Sequence, residues 1–175
     1  MALTATNVRT GISGEVSIGL LTAVFPTTAA AVLTGFTGLG YIGPDGVVPN
    51  SDRSTTDLTA WQNNAVVRTL VTEAKRTYEF TLWETSLAVI EFAYGTTVTP
   101  TVTEGSYTID PSATGGRRKF VIDVLDGALI HREMFEGELT GMEESGWVAG
   151  EAVAFKCTVT CYGSATVKDT ALKTP

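Results

Sequence analysis

Residues 37–47 read "TGLGYIGPDGV", and the meaning of their glycines decides the fold. Gly38, Gly40 and Gly43 fit the spacing G-x-G-x-x-G of a dinucleotide-binding turn. That turn works only when a helix starts within it, because the helix N-terminus holds the pyrophosphate. Here Pro44-Asp45-Gly46 follows, a strong turn signal, and no amphipathic helical pattern comes after it. The glycines therefore belong to strands and turns, and nicotinamide-cofactor binding is rejected.

Outward from this stretch the chain has the periodicity of a β protein. "GEVSIGLL" alternates Val16, Ile18 and Leu20 on one face, and "FTGLGYI" suits a second short strand. Residues 44–57 are polar and read as a long loop, of a length that tends to carry function. "TDLTAW" and "AVVRTLVT" read as strands joined by a turn at Asn63-Asn64. In "RTYEFTLWET" Tyr78, Phe80 and Leu82 face one way, and Glu79, Thr81 and Trp83 the other. Aromatics on both sides mean that both faces are covered, or that a partner buries one.

"SLAVIEFAYG" is the one good helix. Ser86 is placed to cap it, Leu87, Ile90, Glu91 and Tyr94 follow helical spacing, and Gly95 is placed to stop it. "TVTPTVTEGSYTI", "RRKFVIDVLDG", "ALIHREMFEGEL" and "EAVAFKCTVTCYG" are further strands, with a hairpin-type loop at "DPSATGG". The expected fold is mainly β: a β-sandwich or partial barrel flanked by one short α-helix. Its expected organisation is an N-terminal arm over residues 1–12, a domain over 13–163 and a polar tail over 164–175.

Composition agrees. The 175 residues suit one domain, 43% are hydrophobic and 18% charged. Such a chain buries roughly 70% of its unfolded surface and needs no metal or disulfide staple. Cys157 and Cys161 would lie about 13 Å apart on an extended strand, too far to bridge. They share a face with Val153, Phe155 and Val159 and read as buried thiols. The net charge of -7 argues against a protein that grips nucleic acid. "VSIGLLTAVFPTTAAA" imitates a secretory signal, but Glu15 and Pro26 spoil it, and no run suits a membrane span.

Chemistry is sparse. No nucleophile motif, phosphate loop or metal-ligand spacing occurs, and His131 is the only histidine. No catalytic, cofactor or metal residue is assigned, and His131 reads as an ordinary strand residue. Glu133, Glu136, Glu138, Glu143, Glu144 and Glu151 occur with no lysine or arginine among them after Glu133 until Lys156. Such a run is a solvated face or a negative surface with a purpose.

The ordered combination "GLGYIGPDGV", "DLTAWQ", "VVRT", "WETS" closing in "YG", "KFVIDVLDGALIHREMF" and "VAFKCTVTCYG" resembles the major tail tube proteins of long-tailed bacteriophages. It covers roughly residues 38–163. The resemblance implies a structural, non-catalytic virion protein without cofactor. Six copies would form a ring, and rings would stack into a tube that conducts viral DNA to the host cell. Implied partners are further copies of the chain and the tape-measure, tail terminator and distal tail proteins. The protein would be made in the bacterial host cytoplasm and end in the virion tail. Alternatives are the tube of a type VI secretion apparatus and a monomeric carbohydrate-binding sandwich using Trp61, Trp83 and Trp147.

Within that frame Asp45, Asn50, Asp52, Arg53 and Asp57 are expected at contacts between subunits or rings. Arg117, Arg118 and Lys119 are expected to pair with acids of a neighbour, at ~0.2–1 kcal/mol each. Trp61 is an anchor, in the core or at an interface. Glu133, Glu136, Glu138, Glu143 and Glu144 are candidates for the lumen wall, where negative charge lets DNA slide.

Overall fold

The computed structural model describes residues 8–172. Its centre is one antiparallel sheet of seven strands in the order β2-β1-β7-β8-β9-β4-β3. The strands are β1 (Ser13–Gly19), β2 (Phe36–Gly38), β3 (Ile42–Thr59), β4 (Val66–Leu82), β7 (Arg118–Asp126), β8 (Leu129–Glu144) and β9 (Phe155–Asp169). β5 (Thr99–Pro100) and β6 (Gly105–Ser106) form a separate two-residue ladder. The expected mainly-β class with one short helix is what forms, and the sheet does not close into a barrel.

Period-2 alternation decides which face is buried. Val16, Ile18, Phe120, Ile122, Phe135, Tyr78, Phe80, Leu82, Phe155, Cys157 and Val159 all project to one face and are buried there. Helix α1 (Leu87–Tyr94) covers them with Val89, Ile90, Phe92 and Ala93. Aromatic rings tie the layers: Phe92 meets Phe120 edge-on at 5.9 Å, and Phe120 stacks on Phe135 at 5.3 Å. Gly137 makes room for this packing, since a Cβ there would lie 2.8 Å from the Thr160 carbonyl oxygen. Cys157 and Cys161 are free thiols on the core face, and burial pushes Cys157 up to about 12.

The opposite face is covered only in part. The segment after β1 crosses it, held by the Lys119 ammonium on the Ala23 carbonyl at 2.8 Å. Arg132, 5% exposed, donates to the carbonyls of Thr28 and Ala31 and makes a bidentate pair with Asp123, both contacts 2.6 Å. Val121 and Met134 are buried on this side.

Several local expectations change. Residues 44–57 are strand, not loop: they pair with β4 almost throughout, with irregularities at Ile42/Val47 and Ser54/Thr55. Pro49 is tolerated because β3 is an edge strand. Residues 97–109 form only the short β5–β6 ladder, and "DPSATGG" joins strands that do not pair with each other. β9 runs on to Asp169, so the polar tail expected from residue 164 is strand and then a 3-10 turn as far as Leu172. The expected arm over residues 1–12 lies largely outside the described residues. Ser86 occupies the N-cap position without a side-chain bond, and the buried helical face includes Val89 and Phe92, while Leu87 is exposed. Gly95 closes the helix at φ 61°, as its position predicts.

Candidate functional site

The part of the molecule that its own core does not explain is the far end of the β3–β4 hairpin. From Ser51 to Thr59, and again from Val66 to Lys75, nearly every residue is exposed on both faces. The connection closes with the Ala60 amide on the Ala65 carbonyl at 2.8 Å, and within it Asn63 at φ 58° and Asn64 at φ 50° take the left-handed conformation that asparagine tolerates in turns. At ~3.3 Å per residue the arm projects roughly 35 Å beyond Ser51. A lone two-stranded hairpin is marginal in water. This one also exposes Leu58, Val66, Val67 and Val71, and Trp61 stands 97% exposed near its tip. Trp61 is therefore not a core residue.

Polar residues brace the arm from within. Thr69 Oγ1 donates to Asp57 Oδ1 at 2.6 Å, and Asn50 Nδ2 donates to Glu79 Oε1 at 3.1 Å. Asp52 stands opposite Lys75, and Arg53 opposite Ala74. Asp45 sits near the start of β3, beside a groove of about 810 Å³ with Glu15, Tyr41 and Glu84. Instead of gathering in one loop, these residues are spread along one edge strand.

The basic triplet divides three ways. Arg117 is exposed and its guanidinium lies over the Tyr162 ring at 4.2 Å. Arg118 lines a cavity of about 380 Å³ beside α1, and its buried Nε has no partner. Lys119 is spent within the chain on Ala23, on the Phe25 ring and, at 4.0 Å, on Glu136.

The glutamates also separate. Register puts Glu136 and Glu138 on the sheet face away from α1, with Glu79, Thr158 and Thr160. Tyr162 donates to Glu138 at 3.2 Å, and the Thr140 and Thr160 hydroxyls share a 2.8 Å bond. Glu143 stands opposite Lys156, and Glu144 opposite Phe155 at the end of the sheet. Glu79 is an acid of this face that the late glutamate run does not include.

Glu133 is different: it lies on the core face, its side chain 13% exposed. It accepts from Tyr78 Oη at 2.6 Å, from Arg76 Nη2 at 3.0 Å, and is 3.2 Å from His131 Nε2. Burial opposes its charge, but these donors outweigh burial and hold its pKa below the ordinary carboxylate range. Its charge is spent on donors within the chain. No sequence spacing announces this cluster, because Arg76 and Tyr78 come from β4 and His131 and Glu133 from β8.

Among the described residues no group of acids, histidine and cysteines is arranged to hold a metal.

The family model of the phage tail tube protein matches residues 1–172. No curated protein matches the sequence. Among solved structures, the chain is similar to one described as the tail of an empty GTA particle computed with helical refinement in C6 symmetry, at 9% identity. The TM-score is 0.48, covering 94% of this chain and 98% of that one. The family match runs over nearly the whole chain and settles kinship: the chain belongs to the phage tail tube protein family.

Proposed function

We propose that copies of this chain close into rings of six, and that rings stack into the tube through which viral DNA leaves the particle. The observation that carries the reading is the β3–β4 arm, which displays Trp61, Leu58, Val66, Val67 and Val71 to solvent. Apolar surface of this kind on a projecting element marks an interaction site. β3 also presents an edge of 18 residues, an open template for pairing that ring closure would satisfy. Asp45, Asn50, Asp52, Arg53 and Asp57 lie along that edge and would fix register and partner. Arg117 and Arg118 are the members of the basic triplet with capacity left for a neighbour.

The acid-bearing, threonine-rich face of β4, β8 and β9 suits the lumen. Glu79, Glu136, Glu138 and Glu143 would line it, with Arg117 and Lys156 offsetting part of their charge. Duplex DNA carries about one negative charge per 1.7 Å, so a wall without a dense cationic track lets it pass. The role is structural rather than catalytic. Tape-measure, terminator and distal tail proteins are the partners this reading calls for.

The test is negative-stain microscopy of concentrated protein, with and without residues 56–70 replaced by a short turn. Six-fold rings or tubes from the intact chain and none from the shortened one support the reading. Tubes from both uphold the assembly and refute the arm's part in it; a monomer that binds glycans refutes the reading itself.

A further inference from the structure

We infer that the β8–β9 loop of one copy, led by Trp147, seats in the cavity between α1 and the end of β1 and β2 on a second copy. The inference rests on the self-association proposed above and adds a pair of surfaces that meet in it. Trp147 stands 86% exposed, Val148 beside it is exposed too, and neither belongs to the arm. They sit on a built loop. The Ser145 amide donates to the Ala154 carbonyl at 2.9 Å, and the Ala154 amide donates to Ser145 Oγ at 2.7 Å, which pins the base. Above it the Glu151 amide donates to the Val148 carbonyl at 3.3 Å, closing a turn whose third residue, Gly150, has φ 88°. A turn of that kind favours glycine there and brings its first and last residues together. An indole, a valine and the Glu151 carboxylate are thus held side by side in water.

The cavity has the opposite character. It measures about 380 Å³, and Ile18, Leu20, Phe36, Leu87 and Phe92 give it an apolar wall. Leu20 and Leu87 stay exposed within the chain. Arg118 lines the cavity from β7, and its buried Nε has no partner. A buried donor left unmet is destabilising, so the cavity suits an occupant that brings an acceptor along with apolar surface. Glu91 also lines it, but its Oε1 already accepts from the Val98 amide at 3.0 Å.

Charge selects the loop over the arm as that occupant. Between Arg132 and Lys156 there is no basic residue, and Trp147 lies between Glu144 and Glu151. Around Trp61 there is no acid between Asp57 and Glu73, and Arg68 would meet Arg118 with like charge. Asp57 itself is engaged by Thr69. With Trp147 in the cavity, Glu151 meets the Arg118 guanidinium in a charge-assisted bond. Loop and cavity occupy different parts of the chain, one at the end of β8 and β9, the other at the end of β1 beside α1. A contact between unlike surfaces of identical copies is head-to-tail, and such a contact makes a ring when it closes.

The experiment compares assembled natural chain with dilute monomer by hydroxyl-radical footprinting and mass spectrometry. Trp147 and Leu87 should both be protected at least about fivefold on assembly, as the centre of a desolvated contact is. A second measurement tests proximity with a chain carrying Val148→Cys and Leu87→Cys, both at exposed positions. A short bis-maleimide should link its copies in the assembly. Cys157 and Cys161 are buried with raised pKa, so they stay unreactive. A chain with Val148→Cys and Val102→Cys, the latter exposed and outside the cavity, should link at least about tenfold less, because linking follows proximity. Protection of Leu87 without Trp147 puts another element, such as the arm, in the cavity. Protection of Trp147 without Leu87 seats the loop elsewhere. Either result, or equal linking by the two cysteine pairs, overturns the inference and leaves the assembly standing. A natural chain that never associates overturns the assembly, and the inference with it. Footprinting uses the natural chain, so it decides the matter even if the cysteine variants fail to fold.

Discussion

Tyr78 and Phe135 stack face to face, ring centroids 4.3 Å apart and planes 9° from parallel, across the middle of the sheet. The same Tyr78 donates its hydroxyl to Glu133, so one side chain joins the aromatic core to the polar cluster at the root of the arm. Phe135→Ala removes the stack on both Tyr78 and Phe120 and should cost about 3–5 kcal/mol. Urea unfolding of a dilute, unassembled sample measures it; a loss under about 1 kcal/mol would mean the core collapses around the gap.

Tyr78→Phe separates the two roles. It keeps the stack and removes one donor to the buried Glu133, for an expected loss of about 1–3 kcal/mol. The loss should shrink below the pH at which Glu133 takes up its proton, and pH-resolved denaturation checks that.

Arg132 pins the covering segment after β1 through its pair with Asp123 and two backbone carbonyls. Arg132→Ala leaves Asp123 and those carbonyls without their partner, and should destabilise by about 3–5 kcal/mol. Faster amide exchange should appear around Val121 and Met134, which are buried beside Arg132 and Asp123 in the same two strands.

Charge linkage gives the pH profile. His131 has its pKa raised, so its contribution is full below the ordinary value of 6.5 and fades as pH climbs through the raised one. Glu133 has its pKa lowered, so its contribution is full above 4.5 and fades as pH falls through the lowered one. The two together should give greatest stability between about 4.5 and 6.5. His131→Gln should flatten the alkaline limb and soften the acid one, because the ring is among the groups that hold Glu133 and Asp169 below the ordinary range.

Much of this fold is legible in the sequence, and the rest is hidden for definite reasons. Alternation in Val16-Ile18 and Tyr78-Phe80-Leu82 identifies strands with one buried face, and Asn63-Asn64 identifies the hairpin turn. Residues 44–57 look like loop because a strand exposed on both faces has no hydrophobic period. Its pairing comes from β4, not from its own composition. The glutamate run does not divide by sequence into lumen candidates and the buried Glu133, since a side chain's face depends on register and on the bulges of β8 and β9. The surface assignments rest on the arm, where local sequence says little about partners.

The most direct test of the account is a cryo-electron microscopy reconstruction of the assembled protein. The account predicts six-fold rings, the arm of each copy seated with Trp61 buried against another copy, and Glu136 and Glu138 facing the channel. Arms left free in solvent, or those glutamates on the outer wall, would contradict it.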